Sequence, residues 1–391
     1  MSVRAFDAMW AELEPLGRHA GTGGYRRFAW TRTDAALREW FTGQAEQRGL
    51  DVSTDRAGNL WAWTADPDVH GPGLVLGSHL DSVPDGGAFD GPLGVVSAFA
   101  ALDVLGRTRP ERPIAVACFA DEEGARFGVA CAGSRVLTGV LDADRARGLK
   151  DADGTTMAEA MAAGGHDPRH LGRDEETLRR IGTFVELHVE QGRGLVGQDA
   201  AVGVADSIWP HGRWRLDLRG RADHAGTTRL ADRDDPMLAL AAAVQAARSA
   251  AERRDALATV GKLQVAPNGV NAVPSAVTAW LDARGPVDTD VREVVADVGA
   301  AAGVEPVEES WTPATSFDAG LRDRLAALLA APVLATGAGH DAGILAAAGV
   351  PTAMLFVRNP TGVSHSPAEH AETADCHAGV EALARVVREL A

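Results

Sequence analysis

The sequence predicts an α/β fold in two parts: a larger domain with a mostly parallel sheet covered by helices, and an inserted α+β domain of split βαβ, ferredoxin-like order. Three observations lead there. Outside residues 212–312, short and mostly apolar runs alternate with helical patterns, the rhythm of a largely parallel sheet covered by helices. Inside 212–312 the strands alternate polar with apolar residues, as strands with one solvated face do. The chain's 391 residues also exceed what one hydrophobic core sustains. Residues 1–211 and 313–391 are therefore expected to form one discontinuous domain, with 212–312 inserted into it as a lid and dimerisation domain.

Taken in chain order, residues 33–48 read as an amphipathic helix. Thr33 or Asp34 can cap it, Leu37, Trp40 and Phe41 share a face, and Gly49 follows its end. "GLVLGSHL" (73–80) is a buried strand, and "GPLGVVSAFAALDVLG" (91–106) is the helix behind it. "PIAVACFA" (113–120), "TFVELHVE" (183–190) and "PTAMLFV" (351–357) are three more apolar strands. Within the insert, "GRWRLDLRG" is a strand and "DDPMLALAAAVQAARSAAERR" a helix. "ALATVGKLQVAP" and "SAVTAWLDARG" are strands, "DTDVREVVADVGAAAG" is a helix, and "VEPVEESWT" is a last strand. That order is β-α-β-β-α-β. It leaves the larger domain after the third apolar strand and returns before the fourth, so two connections make the hinge.

Composition excludes several functions. A net charge of −16 repels phosphate backbones, so no nucleic-acid partner is expected. An anionic substrate would need locally placed arginines. Hydrophobic residues at 46% are too many for disorder. Cys118, Cys131 and Cys376 stand in no CxxC spacing, which fits a reduced cytoplasm better than a disulfide framework. The start, "MSVRAFDAMWAELEPLG", has acids where a signal peptide needs an apolar stretch. No run approaches membrane-spanning length, so no membrane partner is expected.

In α/β sheets, ligands collect at the carboxyl ends of the strands. The unusual residues of this chain sit there. The first apolar strand ends in His79, within "GSHLDSVPDGGAFDGPLG" (77–94), where Asp90 opens the next helix. The second runs into Asp121, Glu122 and Glu123, the third carries His188, and the loop after the fourth carries His365. Singly, each has an ordinary reading: a satisfied rim histidine, a helix cap, a solvated glutamate. Together, three histidines and several carboxylates converge at one edge of one sheet. Like charges there repel unless cations sit among them. Imidazole with carboxylate suits Zn²⁺, Mn²⁺, Co²⁺ or Ni²⁺, and Asp90 can bridge two such ions. Asp81 can hold the free ring N–H of His79, or simply serve the turn. Only one of Glu122 and Glu123 is needed as a ligand. The residues alone do not order the two.

"GSHLDSVPDGGAFDGPLGV", "DEEGARFG", "ELHVEQG", "DHAGTT", "NAVPS", "GAGHDA" and "GVSHSPAE" occur in this order. Their pattern resembles the dinuclear-metal amidohydrolases of the allantoate amidohydrolase and N-carbamoyl-L-amino acid hydrolase group, which stand with aminoacylase and carboxypeptidase-like metallopeptidases. The resemblance implies two divalent ions per subunit, zinc or manganese foremost. His79, Asp90 and His188 would hold one and Asp90, Glu123 and His365 the other, with Glu122 as general base. The related peptidases typically carry a carboxylate where this chain has His188, so "HVEQG" points to the ureido-cleaving branch, with Gln191 on the substrate. His224 would polarise the scissile carbonyl, reaching in from a partner subunit. Asn271 and Arg284 would grip the substrate's carboxylate, a fork-shaped guanidinium being suited to that. His340 would line the pocket. A homodimer through the inserted domain and a small ureido carboxylate substrate follow from the same resemblance. Allantoate is the favoured substrate, with an N-carbamoyl-L-amino acid or N-carbamoyl-β-alanine as the rival. A peptidase, an aminoacylase or a non-catalytic binding homologue ranks lower, since base and ligands are present together. Two departures bear on specificity. Arg229 stands where the family commonly has proline, and Tyr25 to Arg27 enrich a segment that is simpler in its relatives.

Overall fold

Strands form where apolar or alternating residues run unbroken. A computed structural model describes residues 2–106 and 110–391. In chain order the strands are β1 (Asp51–Thr54), β2 (Leu60–Trp63), β3 (Gly73–His79), β4 (Ile114–Phe119), β5 (Ile181–Val189) and β6 (Val202–Ile208). There follow β7 (His211–Arg219), β8 (Asp223–His224), β9 (Leu257–Ala266), β10 (Ala272–Val273), β11 (Ala276–Arg284) and β12 (Val307–Thr312). The last three are β13 (Thr315–Ser316), β14 (Val333–Thr336) and β15 (Thr352–Val357). The chain divides into two units, Met1–Asp206 with Ser316–Ala391, and Ser207–Thr315.

The larger unit is built on a nine-stranded sheet in the order β1-β2-β4-β3-β5-β15-β6-β13, with β14 beside β6. Its middle, β4-β3-β5-β15, is parallel and contains the four apolar runs legible in the sequence. Around it, β1–β2, β2–β4 and β15–β6 pair antiparallel. These flanks are not legible in advance, because "DVST" is largely exposed and "LWAW" is four residues without alternation. The short helices between residues 131 and 180, such as Ala132–Thr138 and Met157–Ala163, are likewise unread from sequence.

The two-residue period of a strand sorts the middle of the sheet into two faces. Leu74 and Leu76 of β3, Val185, Leu187 and Val189 of β5, and Leu355 and Val357 of β15 join one core, with Phe6, Leu37, Phe41 and Phe99 from helices Ser2–Leu13, Arg32–Gln47 and Pro92–Leu105. The helix expected at 33–48 runs Arg32–Gln47, and its cap is Thr31 rather than Thr33 or Asp34. Thr31 is extended and its hydroxyl accepts from the Asp34 amide, while the Asp34 carboxylate accepts from the Trp30 amide. Asp34 thus sits one turn inside the helix. Its carboxylate closes a reciprocal cap.

In the smaller unit the sheet order is β12-β7-β11-β9, all antiparallel. Alternate residues of β7 and β11 (Trp214, Leu216, Leu218, Val277, Ala279, Leu281) are buried with Leu240, Ala243 and Ala247 of helix Pro236–Arg253 and Val291, Val295 and Val298 of helix Asp288–Ala302. A separate ladder pairs β8 with β10. Among the described residues, no helix is long and apolar enough to cross a membrane.

Candidate metal centre

The face of the sheet opposite Leu187 and Val189 carries the polar residues. Parallel pairing sets Gly77 of β3 level with Glu186 of β5. Two residues further along each strand, the same face presents His79 and His188, whose rings lie 5.9 Å apart. Both are buried. The Nδ1 of His188 lies 2.9 Å from the Val189 carbonyl and the Nδ1 of His79 3.2 Å from the Asp81 carbonyl. Each Nδ1–H therefore has an acceptor. This fixes the tautomer, so that each Nε2 carries a lone pair. Both Nε2 atoms are buried without a hydrogen-bond partner. They face a single oxygen, Asp90 Oδ1, at 3.4 Å from His79 and 3.1 Å from His188. Three acceptors pointed at one another without a donor repel, and a cation among them removes the conflict. The donor set suits a divalent transition ion.

Asp90 reaches this place because Gly91 follows it. Gly91 has φ +83°, and a Cβ there would run into the His79 ring. The other oxygen of Asp90, Oδ2, lies 3.5 Å from His365 Nε2, which is 3.6 Å from Glu123 Oε2. The ligand atoms of His79, Asp90 and His188 all lie within 4.8 Å of one another, and so do those of Asp90, Glu123 and His365. Asp90 is the shared member, one oxygen to each trio. A third trio, Glu186, His188 and His340, meets the same limit. It draws on the one free nitrogen of His188. The oxygens of Glu186 are already taken by the Ser78 hydroxyl at 2.7 Å and the Ala342 amide at 3.0 Å.

Glu122 lies beside both ligand sets and in neither. One carboxylate oxygen accepts the Cys131 thiol at 3.1 Å, and the other is 3.7 Å from His79 Nε2. Burial pushes Glu122 well above the usual carboxylate range, and Glu123 up to about 8 with the Asp90 charge adding to the effect. On Asp90, burial opposes ionisation, but positive charge on His188 and His79, when these are protonated, outweighs it and holds the acid well below its ordinary value. Asp81 does two things. Its carboxylate accepts the Glu122 and Glu123 amides at 3.1 and 3.0 Å, and its own carbonyl, nearer than its side chain, meets the His79 ring.

The remaining residues expected at the site divide. Gln191 donates from Nε2 to Asp90 Oδ2 at 2.8 Å, so it lies against a ligand oxygen, while its Oε1 is buried without a hydrogen bond. His340 is buried with its ring 4.5 Å from that of His188, and burial together with His188 pushes its pKa well down. In the smaller unit, His224 and Asn271 are exposed neighbours. His224 pairs with Ala272 across the β8–β10 ladder, and the Ala225 amide donates to the Asn271 carbonyl at 2.9 Å. Arg284 sits at the opposite end of β11, opposite His211 and Leu257, and donates to Asp282 Oδ1 at 2.6 Å. The eight residue steps from Ala276 to Arg284 span ~26 Å.

Tyr25 and Arg27 turn inward. The Tyr25 hydroxyl donates to the Glu14 carbonyl at 2.9 Å, and the Arg27 guanidinium donates to the Leu16 and Leu13 carbonyls at 2.8 and 3.0 Å. Arg229 is exposed and paired with Asp232 at 2.7 Å. Sequence reasoning did not single out Glu186, Asp341, Cys131 or Glu369. Glu369 stood within a quoted motif, four residues after His365. Glu186 and Asp341 also stood within quoted motifs, "ELHVEQG" and "GAGHDA", beside His188 and His340, whereas Cys131 carries no spacing signal.

The pattern of peptidase family M20/M25/M40 matches residues 75–389. An N-carbamoyl-L-amino acid amidohydrolase of Geobacillus stearothermophilus is 34% identical over 412 aligned residues, covering 98% of this chain and 98% of that one. The allantoate amidohydrolase of Escherichia coli K12 is 32% identical, covering 94% of this chain and 93% of the relative. The crystal structure of a hydantoinase/carbamoylase family amidase from Burkholderia vietnamiensis superposes with a TM-score of 0.89 at 29% identity, covering 100% of this chain and 97% of that one.

Proposed function

We propose, since the chain belongs to peptidase family M20/M25/M40, that it hydrolyses a ureido C–N bond in a small carboxylate substrate with the aid of two divalent cations. The observation that carries this reading is the division of Asp90: one oxygen to His79 and His188, the other to His365 beside Glu123, with Glu122 adjacent and outside both sets. Cations held by these trios would acidify a water and draw charge from the scissile carbonyl.

The chain's own residues supply the rest. Glu122, with its proton affinity raised by burial, takes a proton from the attacking water at a carboxylate oxygen and returns it to the departing nitrogen. The Cys131 thiol on its far oxygen fixes which way that carboxylate faces. His224 supplies a donor for the negative charge that develops on the carbonyl oxygen. Arg284 and Asn271 bind the substrate's carboxylate, and Gln191 meets the ureido group. The carbamate product falls apart to ammonia and CO₂.

Allantoate, the reading favoured by the motifs, and N-carbamoyl-L-amino acids, the substrates named for the Geobacillus relative, both pair a ureido group with a carboxylate. The inward turn of Tyr25 and Arg27 and the ion pairs of Arg26 and Arg229 engage the local polar residues that added to the resemblance in setting allantoate ahead. Ammonia release from a panel of allantoate, several N-carbamoyl-L-amino acids and dipeptides ranks them. Turnover of dipeptides alone would overturn the ureido reading.

The working unit is a homodimer. Ala276, the end of β11 nearer Asn271 in the chain, lies ~26 Å from Arg284, so Arg284 from one copy of the smaller unit and His224 with Asn271 from the other would meet one small substrate. The edge strand β9 and the exposed Leu238 (73%), Val244 and Leu263 supply a pairing surface. Full activity from a monomer at high dilution would contradict this.

A further inference from the structure

We propose that Glu369 is the positioning residue that ties Asp90 to the loop carrying His365, and thereby sets the second ligand trio. The inference rests on the two-cation reading above. Glu369 is buried, at 6% exposure, although no catalytic role falls to it. One carboxylate oxygen accepts two backbone amides, Phe89 at 2.8 Å and Asp90 at 3.0 Å. The other lies 3.2 Å from the Ser364 hydroxyl, which is also 3.2 Å from Asp90 Oδ2. The Glu369 amide in turn donates to the Ser366 carbonyl at 3.0 Å, closing the turn that directly follows His365. One side chain thus joins segments about 280 residues apart in sequence, each bearing a ligand.

The chain makes room for this link. A Cβ on Gly87 would collide with the Glu369 carboxylate, so a glycine is required where the Asp90 loop crosses it. The link also falls where support is wanted. His79 and His188 stand at or near the ends of β3 and β5, their side chains 1% exposed. His365 stands on a loop at φ +55° with its side chain 51% exposed. Two members of the first trio, His79 and His188, are held by the sheet, and the second trio depends on what fixes the His365 loop to Asp90. Glu369 does so through accepted hydrogen bonds, so acceptor oxygens at the right place matter and the charge does not. Glutamine at this position keeps one acceptor for the two amides and offers its amide group to the Ser364 oxygen.

The test is a competition titration of chelator-stripped protein with Zn²⁺ against an indicator of known affinity. Wild type is expected to take up two ions in distinguishable steps. His365→Ala identifies the step belonging to the second trio. Glu369→Ala should weaken that step about tenfold or more and leave the other within about threefold, whereas Glu369→Gln should remain near wild type. Ser364→Ala removes the link on the other segment and should weaken the same step, by less. Equal weakening of both steps by Glu369→Ala, or no weakening of either, overturns the inference. If Glu369→Ala does not fold, an unchanged second step in Ser364→Ala overturns it. Failure of wild type to bind two ions would instead sink the two-cation reading on which it rests.

Discussion

The larger unit buries most of the residues proposed for its site, His365 excepted, and the smaller unit displays His224 and Asn271. His79, His188, Asp90 and Glu122 are buried at the end of a parallel sheet, where the Nε2 atoms of both histidines have no hydrogen-bond partner. His224 and Asn271 stand exposed on a two-strand ladder, near an open sheet edge and apolar side chains in water. A buried cluster of like charges holds together only by what it binds. An exposed histidine acts only on what arrives. Under the proposed function, the first unit would hold the cations and the base, and the second would supply groups that meet the substrate. The difference also predicts that damage to each will read out differently.

The sharpest break is Glu122→Gln. It should lower kcat by about a thousandfold or more while cation uptake stays intact, measured by ammonia release and by metal analysis. Near-normal turnover would remove Glu122 from its role. His224→Ala should follow, at about a hundredfold in kcat with the buried centre undisturbed. Mixing it with Glu122→Gln under subunit exchange should restore part of the activity, since a mixed dimer carries one intact composite site. A mixture as inactive as its components would mean that each copy serves itself. Chelation comes next. An ion at a hundred times its Kd stabilises by about 2.7 kcal/mol, so stripping should lower the melting temperature of the larger unit and leave any separate transition of the smaller one in place. The smallest effect is at Arg27→Ala. Two or more carbonyls lose a buried donor, which should cost about 2–3 kcal/mol in denaturant unfolding with KM unchanged. A changed substrate preference in that variant would return Tyr25 and Arg27 to the specificity question.

Much of this was legible in the sequence, for physical reasons that also mark where legibility stops. The four runs could be read because strands covered on both faces are mostly apolar, the few polar residues in them, such as Glu186 and His188, standing out against that background. The insert could be read because two-residue alternation is a strong signal over nine residues, as in β7 and β11. β1, β2 and β6 could not, since short flanking strands take their conformation from neighbours in the sheet. Ligand types showed themselves by standing after hydrophobic strands. The order of Glu122 and Glu123 did not, because adjacent glutamates on a loop are distinguished only by where each side chain turns. Separation of Arg284 from Asn271 was invisible for a similar reason. Their thirteen steps in sequence give no distance until β11 is seen to take up eight of them.

The order of strands in the larger sheet has a consequence for how the chain is made. β15 lies between β5 and β6, both synthesised well before it. On the ribosome, the growing protein would carry two unpaired strand edges through the whole production of the insert, which can fold by itself in the meantime. Only when residues 352–357 emerge is the gap between them filled, and His365 follows eight residues later. A nascent chain stalled just short of that point would hold a finished small module attached to an open, sticky sheet, the kind of species that chaperones bind.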